Sequence, residues 1–243
     1  MKLALLSDIH GNETALRAVL DDLSAKNASH VAVLGDISFR GPKPKECLDL
    51  VRELHGKVIK GNADEWLTRG INKGEVPDQA LEIMKKEQAW AYSRMSEESL
   101  QYLHELPEEM ELPLTNRIQL YITHAEPGNL FSIIPEDAPN KAFNSFFDAN
   151  PRADFYAYGH IHMPHLRQFQ GKSILNTGSI GLPFDGLAKS SYVMLERTND
   201  TISTTFHRVA YDVEKAVFDI HHTDYPAEAK NIVETIYRNA KKP

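Results

Sequence analysis

The sequence predicts an α/β domain with two β-sheets and helices packed outside them. Over the first 60 residues, short apolar runs alternate with amphipathic segments, which is typical of parallel strands joined by right-handed helical crossovers. From about residue 109 the periodic segments are mostly strand-like, so we expect a second sheet there. No repeat, low-complexity tract or linker divides the 243 residues. We therefore treat residues 1–243 as a single domain.

The N-terminal half contributes three strands and the first helices. Asn12 is a suitable N-cap for the first helix. The segment 78–106 is mostly helical in pattern and rich in Glu, Lys and Gln, so we expect it on the surface over one edge of the sheet. The other elements of this half are strands at 3–7, 31–34 and 58–60 and helices at 12–25 and 45–54.

The C-terminal half contributes the second sheet and the last helices. Its apolar and alternating runs predict six strands, with one helix among them and two after them. The strands are 118–123, 155–158, 166–169, 173–175, 192–196 and 202–208, and the helices are 141–149, 212–222 and 227–241.

Composition excludes several classes of function. A net charge of −7 argues against a dedicated nucleic-acid surface or an anionic-membrane binder. Cys47 is the only cysteine, so no internal disulfide forms. The N-terminal apolar run meets Asp8 too early for a signal peptide, and no run approaches the roughly 18 apolar residues of a membrane span. We expect a cytoplasmic protein that binds no membrane; its oligomeric state stays open, with a homodimer among the alternatives.

The most informative motif is Gly159-His160-Ile161-His162, directly after an apolar run. With 13 glycines and 11 histidines in 243 residues, about 0.03 chance matches to G-H-x-H are expected. Asp8-x-His10 is weaker alone, because the same spacing recurs at Asp219-Ile220-His221 in a predicted helix, where we interpret it as a solvated face. The glycine allows close approach of the backbone to whatever occupies the site.

Five polar segments each follow an apolar run, so their side chains are expected to meet at one sheet edge. Their carboxylate, imidazole and amide donors, without sulfur, suit Mn²⁺, Fe or Zn²⁺. Seven such ligands suit two ions about 3.5–4 Å apart, with a small net positive charge that matches a phosphodiester or monoester. The segments are Asp8-Ile9-His10, Gly35-Asp36, Gly61-Asn62-Ala63-Asp64, His124 and His160-Ile161-His162.

At these residues the chain resembles the calcineurin-like metallophosphoesterase family, whose blocks D-x-H, G-D, G-N-x-D/E, a lone H and G-H-x-H occur here in that order between residue 3 and about residue 191. The resemblance implies a two-sheet sandwich flanked by helices, the four-layer αββα fold, with a dimetal site at the sheets' edge. It assigns Asp8, His10 and His162 to the first metal, Asn62, His124 and His160 to the second, and Asp36 to both. We expect two divalent ions, Mn²⁺ first among Mn, Fe, Zn, Mg and Ni.

Four further positions bear on the branch within the family. The segment from Asn176 to Ser179 looks like the stand-alone phosphodiesterase branch, where a similar N-x-G-S lines the pocket, so Ser179 is expected to bind substrate. Ala63 replaces a histidine that protonates the leaving group in the phosphoprotein phosphatase branch, and Phe184 stands where stand-alone relatives often carry arginine. Arg40 matches the phosphatase spacing G-D-x-x-x-R-G and is expected to supply that charge to the phosphate.

The resemblance implies a phosphoesterase in which a metal-bridging hydroxide attacks a small anionic diester or monoester. His124, Asn62 and Arg40 would steady the phosphoryl oxygens, and Asp36 would hold both ions. Asp64 is expected either to orient a histidine from behind or to be an ordinary charge at a helix N-terminus. Alternatives are a dinucleoside polyphosphate hydrolase, a protein phosphatase, or a non-catalytic scaffold such as the family's retromer subunit.

Overall fold

Two five-stranded sheets face each other in the computed structural model, which describes residues 1–242. The first sheet has the order β10-β9-β1-β2-β3, in which the last three strands are parallel. The second has the order β4-β5-β6-β8-β7, in which β5, β6 and β8 are parallel. The strands are β1 (Lys2–Leu6), β2 (His30–Val33), β3 (Lys57–Val58), β4 (Glu109–Pro113), β5 (Gln119–Thr123), β6 (Phe155–Tyr158), β7 (His165–Phe169), β8 (Lys172–Asn176), β9 (Ser190–Thr198) and β10 (Thr201–Val209).

Helices cover the outer faces of both sheets, which confirms the predicted αββα sandwich. Asn12 caps the first helix as expected, its side chain accepting the amide proton of Ala15 at 3.1 Å. The helices are α1 (Glu13–Ala25), α2 (Pro44–Glu53), α3 (Asn62–Arg69), α4 (Asp78–Tyr92), α5 (Glu97–Glu105), α6 (Asn144–Ala149), α7 (Val213–His221) and α8 (Ala227–Asn239), with a 3-10 turn at Asn140–Phe143 before α6. Among residues 1–242, no helix is both long enough and apolar enough to cross a bilayer.

Strand alternation explains how the layers are held together. Leu3 and Leu5 of β1 belong to the apolar core between the two sheets, while Ala4 and Leu6 face the core under the helices. A strand buried on both faces reads as a continuous apolar run. The same layering recurs in the second sheet, where Tyr156 of β6 packs under α6 and Ala157 faces the other sheet.

The structure differs from the sequence-based assignment in two places. The strand β4 was not predicted, because its alternation of Glu109 and Glu111 with Met110 and Leu112 is short and ends at a proline. The helix α3 was also not predicted. The segment 78–106 is mostly helical, as expected, and divides into α4 and α5, where Ser96 caps α5 by accepting the amide proton of Ser99 at 3.2 Å.

Candidate active site

The predicted ligand residues lie together at one edge of the two sheets. Asp8 follows β1, Asp36 follows β2, His124 follows β5 and His160 follows β6, all of them parallel strands whose carboxyl ends point to this edge. Asn62 is the first residue of α3, shortly after β3. All are buried except His160, which is half-buried.

The backbone at these ligands is left-handed. Asp8, His10, Asp36, His160 and His162 have φ values of 56°, 49°, 56°, 66° and 59°. A residue other than glycine adopts this conformation at a cost of about 1–3 kcal/mol, and such strain gathers at functional sites. The turn that each strand makes here redirects its side chain into a shared space.

Two motif glycines are required by close approach. A Cβ at Gly61 would lie 2.1 Å from Asp36 Oδ1, and one at Gly159 would lie 2.0 Å from Ser7 Oγ and 2.6 Å from Asp8 Oδ2. Any larger residue would displace the carboxylates, so these glycines allow the loops to meet.

Four side chains form the first ligand cluster: Asp8, His10, Asp36 and His162. Their donor atoms all lie within 4.8 Å of one another. His10 Nε2 is 3.7 Å from Asp8 Oδ1 and 3.5 Å from Asp36 Oδ2, and His162 Nε2 is 3.1 Å from Asp8 Oδ1.

A second cluster adjoins the first. The amide oxygen of Asn62 is 2.9 Å from His124 Nε2 and 2.7 Å from His160 Nδ1. Asp36 belongs to both clusters, because its Oδ1 is 3.4 Å from His124 Nε2 while its Oδ2 faces His10. One carboxylate therefore spans the two groups.

Backbone carbonyls fix the histidine rings. His10 Nδ1 donates to Phe39 O at 2.8 Å, His124 Nδ1 donates to Leu34 O at 2.6 Å, and His162 Nδ1 donates to Leu182 O. Each Nε2 is then left to face the site, where the facing atoms are oxygens or a second Nε2. Such a contact needs a proton or a metal ion between the two atoms.

The buried carboxylates and imidazoles of the site shift one another's pKa values. Burial opposes ionisation of Asp8, but His162 and the other imidazoles hold its pKa well below the usual range. Burial lowers the pKa of His124, yet the Asp36 carboxylate outweighs it and the pKa rises to about 9. Burial and His124 together lower the pKa of His160 to about 4.

The residues present fit a pair of divalent ions. Metal–ligand bonds of about 2.0–2.2 Å place neighbouring ligands roughly 3.0–3.6 Å apart, close to the separations in the first cluster. Asp8 Oδ1 is buried and accepts no hydrogen bond, although His162 Nε2 lies 3.1 Å away. His160 Nε2 is buried without a hydrogen-bond partner as well. The first cluster and the group Asn62, His124 and His160 would each hold one ion, with Asp36 shared.

One predicted role is wrong, and a second residue takes the alternative role that its position allowed. Ser179 does not line the cavity: it is fully buried, donates to the Asp8 carbonyl at 2.8 Å and accepts the Leu182 amide proton at 2.8 Å, so it supports the Asp8 turn. Asp64 orients no histidine, because its carboxylate accepts the backbone amide protons of Asp36 at 2.8 Å, Ile37 at 3.0 Å and Gly61 at 3.0 Å. Its place in the first turn of α3 agrees with the alternative reading of a helix N-terminal charge.

A cavity of about 380 Å³ opens beside the two clusters. Arg40 and Ala63 lie along it, as does Phe184, whose ring stacks on His162 with centroids 4.3 Å apart. Phe131 packs on Trp66, which lines the cavity, while Tyr92 is exposed and lies outside the cavity lining.

Sequence reasoning missed the acid behind Arg40. Glu87 on α4 is buried and places Oε2 at 3.6 Å from Arg40 Nε, and its Oε1 accepts the Tyr225 hydroxyl proton at 2.6 Å. It lies among exposed charged residues in a polar helix, so no local pattern distinguishes it.

The chain is similar in sequence and in fold to known proteins. The model of the calcineurin-like phosphoesterase superfamily domain matches residues 1–200. Phosphodiesterase YfcE of Escherichia coli is 29% identical over 213 residues, which cover 84% of this chain and 90% of YfcE. A metallophosphoesterase structure from Sphaerobacter thermophilus has a TM-score of 0.77 at 27% identity, with 96% of this chain and 98% of that chain covered. A Pyrococcus horikoshii structure shares the fold with a TM-score of 0.83 at 22% identity, with 100% of this chain and 99% of that chain covered.

Proposed function

Because the chain belongs to the calcineurin-like phosphoesterase superfamily, we propose that it is a two-metal phosphodiesterase of the stand-alone kind, which hydrolyses small anionic esters in the cavity beside Asp36. Phosphomonoesters are the less favoured substrates in this proposal. The similarity to Phosphodiesterase YfcE supports the choice of diesters.

The observation that carries the proposal is the position of Asp36 between the two clusters. Two divalent ions held there would activate a water as nucleophile and neutralise charge on the phosphoryl oxygens. The chain's own part is to fix the ligands in advance: backbone carbonyls set the histidine rings, and Ala63 donates its amide proton to Asp36 Oδ1 at 2.8 Å.

Arg40 is the residue that we assign to the phosphoryl oxygens. Among residues 1–242, its terminal guanidinium nitrogens donate no hydrogen bond, while its Nε faces Glu87. A planar fork with free donors suits two phosphate oxygens. His124 and Asn62 would steady the same group.

Ala63 bears on the class of leaving group. Its side chain carries no titratable group at the position where phosphoprotein phosphatases have an acid. Loss of a general acid lowers the rate by roughly 10²–10⁴. Esters whose leaving group departs without a proton from the protein are therefore the preferred substrates.

We propose Mn²⁺ as the ion on the ground of the mixed carboxylate, imidazole and amide donors without sulfur. The cytoplasm remains the proposed location, on the ground of a single buried cysteine, Cys47.

The test is purification with Mn²⁺ and assay with bis- and mono-p-nitrophenyl phosphate. The diester should be turned over faster, and Asp36→Asn should lose metal and activity together. Asp219→Asn is the matched control, because Asp219 lies in the second D-x-H of the chain, on α7. If neither ester is hydrolysed with Mn²⁺, Fe²⁺ or Zn²⁺, the proposed enzyme activity is excluded and the non-catalytic scaffold remains as the alternative.

A further inference from the structure

The cavity wall beyond the ligand residues is apolar. Trp66 and Met84 line it from α3 and α4, Ile133 from the loop after β5, and Ile161 and Phe184 from the loops around His162. These side chains come from five separate segments. Their convergence on one space is therefore a property of the folded chain and not of one amphipathic element.

The same wall offers few hydrogen-bonding side chains. Within the described residues, its lining contains no serine, threonine, glutamine or tyrosine. Its charged side chains outside the ligand set are Arg40, Glu136 and Lys242. Sugar hydroxyls or a nucleobase edge placed against it would lose their water without gaining side-chain partners, which is unfavourable.

Two residues give the wall its character. Ile133 is 62% exposed, which is unusual for a large aliphatic side chain beside a charged site. Phe184 takes the place of an expected cation and presents a ring that is parallel to His162 within 10°. Both add apolar surface to the wall of the cavity.

We propose, on the basis of the proposed function, that the preferred substrates are phosphodiesters with at least one apolar aryl or alkyl group, which lies against Ile133, Trp66 and Phe184. Arg40 and the metal ligands take the phosphoryl group, and the apolar group displaces water from the wall. Diesters whose two groups are sugars are excluded from the preferred class.

The test uses three diesters with one leaving group: methyl, phenyl and thymidine-5′ p-nitrophenyl phosphate. In each, a water oxygen forms a bond to phosphorus, p-nitrophenolate leaves with the bonding electrons, and a proton passes to solvent. Each kcat/KM, measured with Mn²⁺, is divided by the rate of alkaline hydrolysis of the same ester. The phenyl ester should exceed the methyl ester about tenfold, as burial of roughly 60 Å² of apolar surface implies, and should also exceed the thymidine ester.

A pair of variants locates the effect. Ile133→Ser should lower the phenyl-to-methyl ratio about threefold, because it removes part of the apolar contact. Leu166→Ser is the control, since Leu166 is another exposed aliphatic residue, on β7, outside the cavity lining. Both positions are exposed, so both variants should fold.

The outcomes separate the two proposals. Turnover with a phenyl-to-methyl ratio near one, or with the thymidine ester preferred, overturns the apolar-group inference and leaves the phosphodiesterase standing. An unchanged ratio in Ile133→Ser also overturns it. Absence of turnover with all three esters overturns the proposed function and this inference with it.

Discussion

Arg40 and the buried Glu87 form an ion pair at the cavity, with Arg40 Nε 3.6 Å from Glu87 Oε2. The other carboxylate oxygen accepts the Tyr225 hydroxyl proton, and burial with Glu87 raises the pKa of Tyr225 well above its usual value, so that it remains a donor. Arg40 itself has φ of 75°, in the left-handed region. The pair thus holds Arg40 at the cavity, where the proposed function assigns its terminal nitrogens to the phosphoryl oxygens.

Loss of either Arg40 or its partner Glu87 should weaken substrate binding. Arg40→Ala should lower kcat/KM about 30-fold, equivalent to about 2 kcal/mol for a charge-assisted hydrogen bond. Glu87→Gln should lower kcat/KM by about 3–10-fold, mostly through KM, because Arg40 remains but is less well held. Glu82→Gln, on the exposed face of α4, is the control. An unchanged KM in Glu87→Gln would show that the pair does not position Arg40.

Asp64 should couple metal affinity to folding stability. An asparagine at position 64 still has one side-chain oxygen that can accept a backbone amide proton. Its side-chain NH2 group, however, would face another backbone N–H, such as that of Ile37, and two donors cannot form a hydrogen bond. Asp64→Asn should therefore cost about 1–3 kcal/mol in the free energy of unfolding and lower metal affinity roughly 10–100-fold. Urea unfolding and Mn²⁺ titration measure these effects. Asp78→Asn, at an exposed first-turn position of α4, should change neither quantity; equal behaviour of the two variants would refute this role of Asp64.

Metal binding should strengthen as pH rises. In the metal-free protein the pKa of His124 is about 9, so an ion must displace a proton below that pH. His124 stabilises the metal-free fold fully below pH 6.5 and loses that contribution as pH rises toward 9. The increase in Tm caused by Mn²⁺ should thus be larger at pH 8.5 than at pH 6.5. Titration calorimetry of Mn²⁺ binding in two buffers with different ionisation enthalpies should show proton release. An Mn²⁺ affinity that is constant between pH 6.5 and pH 8.5 would be incompatible with His124 as a metal ligand.

The leaving group should control the rate strongly. Ala63 cannot donate a proton, so kcat/KM should fall at least 100-fold from p-nitrophenol to phenol as leaving group. Because Ala63 is buried and lines the cavity, a larger side chain at this position would point into the cavity. Ala63→His should narrow the difference between the two esters, and Ala63→Asn should not. A small difference in kcat/KM between the two esters in the unmodified protein would indicate that another group donates a proton to the leaving group.

The sequence predicted the elements and ligands that depend on local pattern. The strands β1, β2, β5 and β6 appear as apolar runs because both faces are buried, and Asp8, Asp36, His124 and His160 follow them directly. Parallel pairing brings the carboxyl ends of these strands to one edge of the sheet, so the site could be predicted without knowing the shapes of the loops. The αββα architecture came from the family resemblance and is confirmed.

Long-range contacts are what the sequence could not predict. Glu87 and Tyr225 are 138 residues apart, and the hydroxyl of Ser179 reaches a carbonyl 171 residues away. No local pattern indicates which buried polar group pairs with which. The role of Ser179 was therefore wrong, and Glu87 was missed.

Anomalous diffraction from crystals grown with Mn²⁺ tests the central claim most directly. We predict two peaks about 3.5–4 Å apart on either side of Asp36. One should lie among Asp8, His10 and His162 and the other among Asn62, His124 and His160. A single peak, or none at these residues in fully loaded crystals, would contradict the two-metal site.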